Sequence, residues 1–96
     1  MSIDNSVTPG CILVRNSGYN MCIWTFYKVL RTTPKQMVLM ELLKDVHIDD
    51  NHDGFHPIVT PIDVGAPRSE IIKTAKTNPH YSFYDPKHTY IEDHLD

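Results

Sequence analysis

MCIWTFYKVLR at residues 21–31 and QMVLMELLK at residues 36–44, separated by the bridge TTPK, form the densest block of apolar residues in the sequence. The first run contains the only Trp of the chain and is rich in aromatic and β-branched residues. Such residues fit a pleated, half-buried surface, so the first run is predicted to be a β-strand. The rest of the chain is expected to be organised around this stretch.

Both faces of the predicted strand are largely apolar. Alternation assigns its side chains to two faces, with Ile23, Thr25, Tyr27 and Val29 on one and Trp24, Phe26, Lys28 and Leu30 on the other. Because neither face is polar enough to lie in water alone, each must be covered at least in part. A strand in a small curled sheet or barrel satisfies this requirement.

The second run fits two structures. Thr33-Pro34-Lys35-Gln36 has the pattern of a helix start, with Thr as N-cap and Pro at the first helical position. Apolar residues then recur at helical spacing, at Leu39, Leu42, Leu43 and Val46. Pro34 equally suits the second position of a type I turn, which would make residues 36–44 a second strand. Local signals favour a helix over residues 34–46 slightly.

Short motifs along the chain resemble those of a family of small proteins carried by phages, prophages and plasmids. The matching segments are Gly10 to Val14, Gly18-Tyr19, Phe26-Tyr27-Lys28-Val29, Pro34-Lys35, Val59-Thr60-Pro61, and Tyr84-Asp85-Pro86-Lys87 with Tyr90. The sequence departs from the family pattern at Pro34, where a small residue is usual, and at Asp85-Pro86, where Asp-Gly is usual. The resemblance covers residues 10–92. It implies an all-β fold, a strand at 36–44 and no catalytic residues.

The predicted fold is therefore all-β: a small, partly open SH3-like barrel or a strongly curled antiparallel sheet of five to six strands. Residues 69–76 are either a short helix or a strand. The domain boundaries are a flexible arm at 1–9, a single β domain at 10–92 and an acidic tail at 93–96. The last two strands, 80–84 and 89–92, are predicted to form a hairpin. Residues 57–64 contain two prolines and are expected at a sheet edge, where they would be able to pair in a homodimer.

Composition narrows the class of protein. Ninety-six residues with 41% hydrophobic and 22% charged residues fit one soluble globular domain. The net charge of −3 argues against non-specific nucleic-acid binding as the main task. Cys11 and Cys22 are expected to be reduced thiols. No apolar run reaches membrane-spanning length and no signal peptide is recognised, so a cytoplasmic location is expected.

The charges are unevenly distributed along the sequence. Residues 45–56 contain four aspartates and no Lys or Arg, whereas residues 1–44 carry more basic than acidic side chains. Such asymmetry indicates either a directed surface or a solvated loop tip. Because no catalytic set and no metal template are found, and the motifs resemble those of phage proteins, we expect a non-catalytic inhibitor that binds a host protein or nucleoprotein complex, for example a CRISPR or restriction defence machine, through this acidic surface. The expected partner-binding residues are Asp49, Asp50, Asp53, Tyr81, Tyr84, Glu92 and Asp93.

Two rival functions have weaker signals. Asp49 to Gly54 fits the first half of a calcium loop, but Thr60 stands where the loop needs Glu, and His47, His52 and His56 match no zinc spacing. No metal or cofactor is therefore predicted, and a metal-dependent hydrolase using these residues is the lesser alternative. A nucleic-acid-binding barrel would need its cations to converge beside the aromatic residues of the first run, the cations being Lys28, Arg31, Lys35 and Lys44.

Overall fold

The computed structural model of the chain describes residues 7–17, 23–47, 57–67 and 70–92. The described residues form one antiparallel sheet and contain no helix. The strands are β1 (Ile12–Ser17), β2 (Ile23–Thr32), β3 (Gln36–His47), β4 (Ile58–Gly65), β5 (Ile71–Ala75), β6 (Ser82–Phe83) and β7 (Tyr90–Ile91). No helix among the described residues has the length and hydropathy that a membrane crossing requires.

The sheet curls on itself. Its main path has six strands in the order β6-β1-β2-β3-β4-β7. Strand β5 lies off this path: it pairs with residues 36–40 of β3, whereas β4 pairs with residues 42–47. Strand β7 lies at one end of this order, yet its Ile91 carbonyl accepts a hydrogen bond from the indole N–H of Trp24 in β2. The sheet therefore bends far enough for strands three places apart to touch. The all-β, strongly curled sheet that the sequence predicts is confirmed.

The second run is a strand, and the helix signal at its start has another use. Strands β2 and β3 form a hairpin in which the Thr33 N–H donates to the Gln36 carbonyl at 2.8 Å. The Gln36 N–H in turn donates to the Thr33 hydroxyl at 3.0 Å. A helix N-cap makes the same bond, in which the N–H three residues on donates to the hydroxyl oxygen. Local sequence therefore predicts the bond correctly without identifying the element that follows it.

The two faces of the long β2–β3 ribbon are buried in two different cores. Near the hairpin turn, one face packs in a first core with β1 and the segments before β1 and β6, comprising Val7, Leu13, Tyr27, Val29, Met37, Leu39 and Tyr81. Farther along, the opposite face packs in a second core with β4 and β7, comprising Val14, Phe26, Leu42, Val59 and Tyr90. Adjacent residues Phe26 and Tyr27 thus belong to different cores, as the alternation predicts.

This arrangement makes the molecule long. Strand β3 has 12 residues, which correspond to about 40 Å at the usual rise of a strand. The described residues extend 43 × 26 × 26 Å, with a radius of gyration of 13.8 Å. A compact domain of this length would have a radius of gyration of about 12.5 Å. The ribbon therefore sets the long axis, with the turn at one end and the last residues of β3 near the other.

Several finer expectations are wrong. Strand β1 continues through Arg15 to Ser17, where a turn is expected from composition, because these residues pair with the start of β2. The predicted hairpin of the last two strands does not form, because β6 pairs with β1 and β7 pairs with β4. The arm at 1–9 is not loose over its described part: Val7 lies in the first core.

The edges of the sheet also differ from expectation. Residues 58–59 of β4 pair with both β3 and β7, so the start of the predicted edge strand is interior. Residues 71–75 form strand β5, not a helix, and within the described residues β5 pairs with β3 alone. Lys73 is exposed at the middle of β5. A charged residue there opposes the pairing of two such edges in a dimer.

Truncation of a core residue tests the two-core packing. Phe26 is fully buried and makes edge-to-face contacts with Tyr84 and Tyr90, so Phe26→Ala is expected to lower the free energy of unfolding by about 3–5 kcal/mol. Leu30 lies on the same strand at 40% exposure, where the register shifts. Leu30→Ala is the control and is expected to cost less than about 1.5 kcal/mol. Equal losses for the two variants in urea unfolding would contradict the packing.

Candidate functional site

The backbone ladder between β2 and β3 stops in the middle of the ribbon. The last paired residues are Tyr27 and Glu41, and beyond them the two strands diverge. Had the register continued, Trp24 would lie opposite Lys44. The divergence opens a cleft of about 310 Å³. Its lining residues are Trp24, Thr25, Phe26, Glu41, Leu42, Leu43, Lys44, Val46 and Ala66.

Side chains replace the missing backbone pair at the bottom of the cleft. The Trp24 carbonyl accepts a hydrogen bond from Lys44 Nζ at 3.0 Å, and the Trp24 N–H donates to Glu92 Oε2 at 3.0 Å. Lys44 and Glu92 also form an ion pair with one another. Both Trp24 backbone groups are therefore satisfied although β3 has moved away. Without these side chains they would be unpaired polar groups beside a core, at a cost of about 1–3 kcal/mol each.

An aromatic cluster forms the wall beneath this ion pair. Tyr90 is its centre and contacts Trp24 edge-on at 5.0 Å, Phe26 edge-on at 5.8 Å and Tyr84 in a stacked geometry at 5.5 Å between ring centroids. The Tyr90 hydroxyl accepts a hydrogen bond from the Asp85 N–H. These contacts join the segment between β6 and β7 to the start of β2, where Trp24 and Phe26, which line the cleft, pack against these rings.

The chemistry available in the cleft is that of binding. Its apolar and aromatic lining would accept an apolar side chain. Of its two ionic groups, Lys44 is engaged by Glu92 and Trp24, and the other is the half-buried Glu41. The volume lies at the lower limit of small-molecule sites. Within the described ranges, no three His, Cys, Asp or Glu side chains are grouped as metal ligands would be.

Three strand ends meet beside the cleft. His47 at the end of β3 pairs with Ile58 at the start of β4, and Ile58 pairs with Ile91 at the end of β7. Strand β2 begins here as well, at Ile23. We call this region the cleft end. The described chain stops at His47 before residues 48–56 and at Glu92 before residues 93–96, so both acidic segments are attached at adjacent strands.

The structure describes three of the seven predicted partner-binding residues: Tyr81, Tyr84 and Glu92. Asp49, Asp50, Asp53 and Asp93 lie outside the described residues, as do His52 and His56. Glu92 is not part of an acidic surface: it is 2% exposed and paired with Lys44. Tyr81 is likewise 2% exposed and lies in the first core, so it does not present its ring to a partner.

Tyr81 and Tyr84, the two tyrosines among the predicted partner-binding residues, pack against other aromatic rings. The Tyr81 hydroxyl accepts a hydrogen bond from Arg15 at 3.3 Å, and its ring packs edge-on against Tyr27. Burial raises the pKa of the Tyr27 hydroxyl, and the neighbouring Tyr81 and Glu41 raise it further, whereas Arg15 lowers it. Tyr84 is half-buried on Tyr90, and burial, followed by Tyr90 and Asp85, raises its pKa.

The convergence required for the nucleic-acid alternative does not occur. Lys44 is held by Glu92, and Lys28 is paired with Asp63 at 2.9 Å. Phe26 and Tyr27 are buried on opposite faces of β2, so they form no stacking platform. Arg31 and Lys35 remain exposed at the other end of the ribbon.

The histidines do not assemble an acid-base pair within the described residues. His88 packs edge-on against Tyr90 at 4.7 Å between ring centroids, and the His80 N–H donates to the Asn78 side chain. The predicted hairpin of the last two strands, whose range includes both histidines, does not form. His47 lies 3.7 Å from Asp45 on an exposed part of β3.

Sequence reasoning missed the cleft and its ion pair. Lys44 lies on the same face of β3 as two apolar residues, Leu42 and Val46, and this is the signal that was present in the sequence. Its partner Glu92 is 48 residues away in the chain. No local pattern connects them. Cys11, by contrast, is a free thiol as expected and packs against the first core.

Comparison of the chain with protein-family models, with curated proteins and with solved structures finds no match.

Substitution of Glu92 tests the ion pair. Glu92→Leu removes the partner of Lys44, whose side chain is 30% exposed, and the acceptor of the Trp24 N–H, so the free energy of unfolding should fall by about 1–3 kcal/mol. Glu92→Gln retains an acceptor for the Trp24 N–H and should lose less. Glu70→Gln, at an exposed glutamate, is the control and should stay within about 0.5 kcal/mol. If Glu92→Leu unfolds in urea at the same midpoint as Glu70→Gln, the ion pair has no structural role.

Alkaline pH tests the buried tyrosines. A tyrosine whose pKa is raised by folding stabilises the fold fully below its ordinary pKa of 10.0, and this contribution is lost as the pH rises through the folded-state value. Stability should therefore decline above about pH 10. Tyr27→Phe keeps the ring contact with Tyr81 and should make the decline shallower, as measured by urea unfolding at stepped pH. An unchanged slope would show that Tyr27 ionises as readily in the folded chain as in the unfolded one.

Proposed function

We propose that this chain is a small, non-catalytic binding protein that inhibits a host defence or regulatory complex through an acidic surface at the cleft end. The proposal includes an origin in a phage or a similar mobile element, on the resemblance of its motifs, and action in the host cytoplasm. The fold is consistent with it: a curled sheet with a shallow cleft offers surface for contact and little enclosed volume for a reaction.

The observation that carries the proposal is the register of three strands at the cleft end. His47, Ile58 and Ile91 are consecutive partners across β3, β4 and β7. Residues 48–56 connect β3 to β4, and residues 93–96 follow β7, so segments 37 or more positions apart in sequence begin from neighbouring strands. Their aspartates are Asp49, Asp50, Asp53, Asp93 and Asp96. The attachment of both segments at one end supports a common acidic surface.

Electrostatics favours a basic partner for such a surface. Neighbouring strands are about 4.8 Å apart, well within the screening length of about 8 Å at physiological ionic strength. The ends of β4 and β7, to which the two acidic segments are attached, are therefore closer together than the screening length. A basic channel that binds nucleic acid is attracted by the same field that draws DNA or RNA to it. Competition for that channel is the proposed mode of inhibition.

The cleft adds an apolar contact area, which the charged segments alone do not provide. Stable protein interfaces combine a charged, solvated rim with an apolar centre that is desolvated on binding. Leu43 and Val46 line the cleft on β3, and Val46 is 53% exposed near the end of that strand. An apolar side chain of the partner would find contact area there, beside the acidic segments. Charge would then determine the rate of association and the cleft would add to its lifetime.

Matched charge reversals test the proposal. Asp49→Lys/Asp50→Lys changes the acidic loop, and Asp63→Lys/Glu70→Lys makes the same change of net charge at two exposed acids away from the cleft end. Each variant and the wild-type chain are used to capture protein complexes from a host lysate at low and at physiological salt. We expect the wild type and the control to retain a complex that duplex DNA displaces, and the loop variant to lose most of it.

Two results would contradict the proposal. One is equal capture by the loop variant and the control with the same salt dependence. The other is a captured complex from which duplex DNA displaces nothing, because competition with nucleic acid is the proposed mode of inhibition.

A further inference from the structure

The end of the ribbon opposite the cleft is basic. We call it the hairpin end: the turn at residues 33–36, the strand residues beside it, and the end of β5 with Lys76. Residues 29–40 and 71–84, which form it, contain no Asp or Glu. Their basic residues are Arg31, Lys35, Lys73 and Lys76, with His80. The acidic residues that flank these two ranges in the sequence are Glu41, Glu70 and Asp85.

The strand register brings these cations together. Arg31 in β2 pairs with Val38 in β3, and Val38 pairs with Lys73 in β5. The three side chains therefore share one face, and the two cations lie on either side of Val38, about 10 Å apart. Val38 is only 6% exposed although it lies near the tip of the hairpin. The aliphatic stems of Arg31 and Lys73 are placed to cover it while their charged groups stay in water.

Lys76 joins this group through the backbone. Its N–H donates to the Lys35 carbonyl at 3.0 Å, which places the end of β5 against the turn. Lys76 is 8% exposed, yet within the described residues it makes no ion pair with a carboxylate. Buried charges are normally paired. Four cations at this end thus have no described anionic partner, whereas Lys28 and Lys44 each have one.

The negative net charge of the chain does not cancel this field. The turn and the cleft end lie at opposite ends of a 12-residue strand in a molecule 43 Å long. Screening in physiological salt acts over about 8 Å. A polyanion at the hairpin end is therefore several screening lengths from the last residues of β3 and responds to the local positive charge. An argument from net charge alone fails for a chain whose charges are separated in this way.

We propose that the hairpin end is a second binding surface, which contacts the phosphate backbone of double-stranded nucleic acid without reading its sequence. The cations would contact phosphates, which position a protein on a duplex and carry no sequence information. Within the described residues the exposed aromatic ring of the hairpin end is Phe83, at 42%, on β6, and β1 separates β6 from β2 and its Arg31. The cations are therefore not interleaved with rings on which single-stranded bases would stack. The surface acts independently of the acidic surface of the proposed function and does not rest on it.

Salt-dependent binding to a labelled duplex of random sequence tests this inference. Three phosphate contacts give a slope of log affinity against log salt near −2.7, so binding should weaken about 40-fold between about 50 and 200 mM salt. Arg31→Gln/Lys35→Gln/Lys73→Gln should abolish most of this dependence and weaken binding at the lower salt more than about tenfold. Circular dichroism of the variant checks that the sheet is intact.

Two single substitutions, one inside and one outside the hairpin end, provide the matched control. Lys35→Gln should reduce the slope by about 0.9, whereas Lys87→Gln, which removes an exposed charge outside the hairpin end, should leave it unchanged. The loop variant Asp49→Lys/Asp50→Lys should still bind the duplex even if it no longer captures a protein complex. Loss of protein capture therefore tests the acidic surface, and loss of duplex binding tests the hairpin end. Absence of duplex binding by the wild type at the lower salt would overturn the inference. So would unchanged binding by the triple variant, equal binding to polyglutamate, or full displacement by inorganic phosphate.

Discussion

The structure depends on one constraint: the β2–β3 ribbon is apolar on both faces, and both must be removed from water. The chain is too short to build a complete layer on each side. It covers one face near the turn, with Val7 and Tyr81 in the first core, and the other face farther along, with Val59 and Tyr90 in the second. The curl of the sheet and the length of the molecule follow from covering opposite faces at different positions.

The ribbon loses backbone hydrogen bonds at the point where its buried side changes from one face to the other. Strands β2 and β3 separate there, and the backbone of Trp24 loses its partner across the sheet. The Lys44–Glu92 pair restores those hydrogen bonds from side chains, and Glu92 is at the same time the last described residue after β7. An ion pair with a buried partner is a weak source of stability by itself, but this one specifies a geometry, because the buried Glu92 carboxylate requires a cation at the position of Lys44. The cleft exists because the ladder ends there, and its walls are fixed by this pair.

Periodicity and resemblance predicted more of this protein than motif chemistry did. Alternation assigned Phe26 and Tyr27 to different faces correctly, since period two is a property of any strand. The choice of strand for residues 36–44 came from the resemblance, because the Thr33 hydroxyl bond serves a helix start and a hairpin turn equally. Strand partners beyond the hairpin were not predictable: β6 and β7 are close in sequence but lie at opposite ends of the sheet order. Glu92 was assigned to the surface because its acidic neighbours suggested it, while its partner lies in another strand.

Packing of adjacent residues into separate cores is the claim on which the shape, the cleft and the separation of charged ends all depend. The most direct measurement is the set of nuclear Overhauser contacts between aromatic rings in the folded chain. The account predicts contacts from the Tyr27 ring to Tyr81, and from the Phe26 ring to Tyr84 and Tyr90, with no exchange of partners between the two. Contacts from the Phe26 ring to Tyr81 would place both residues in one core and would contradict the account.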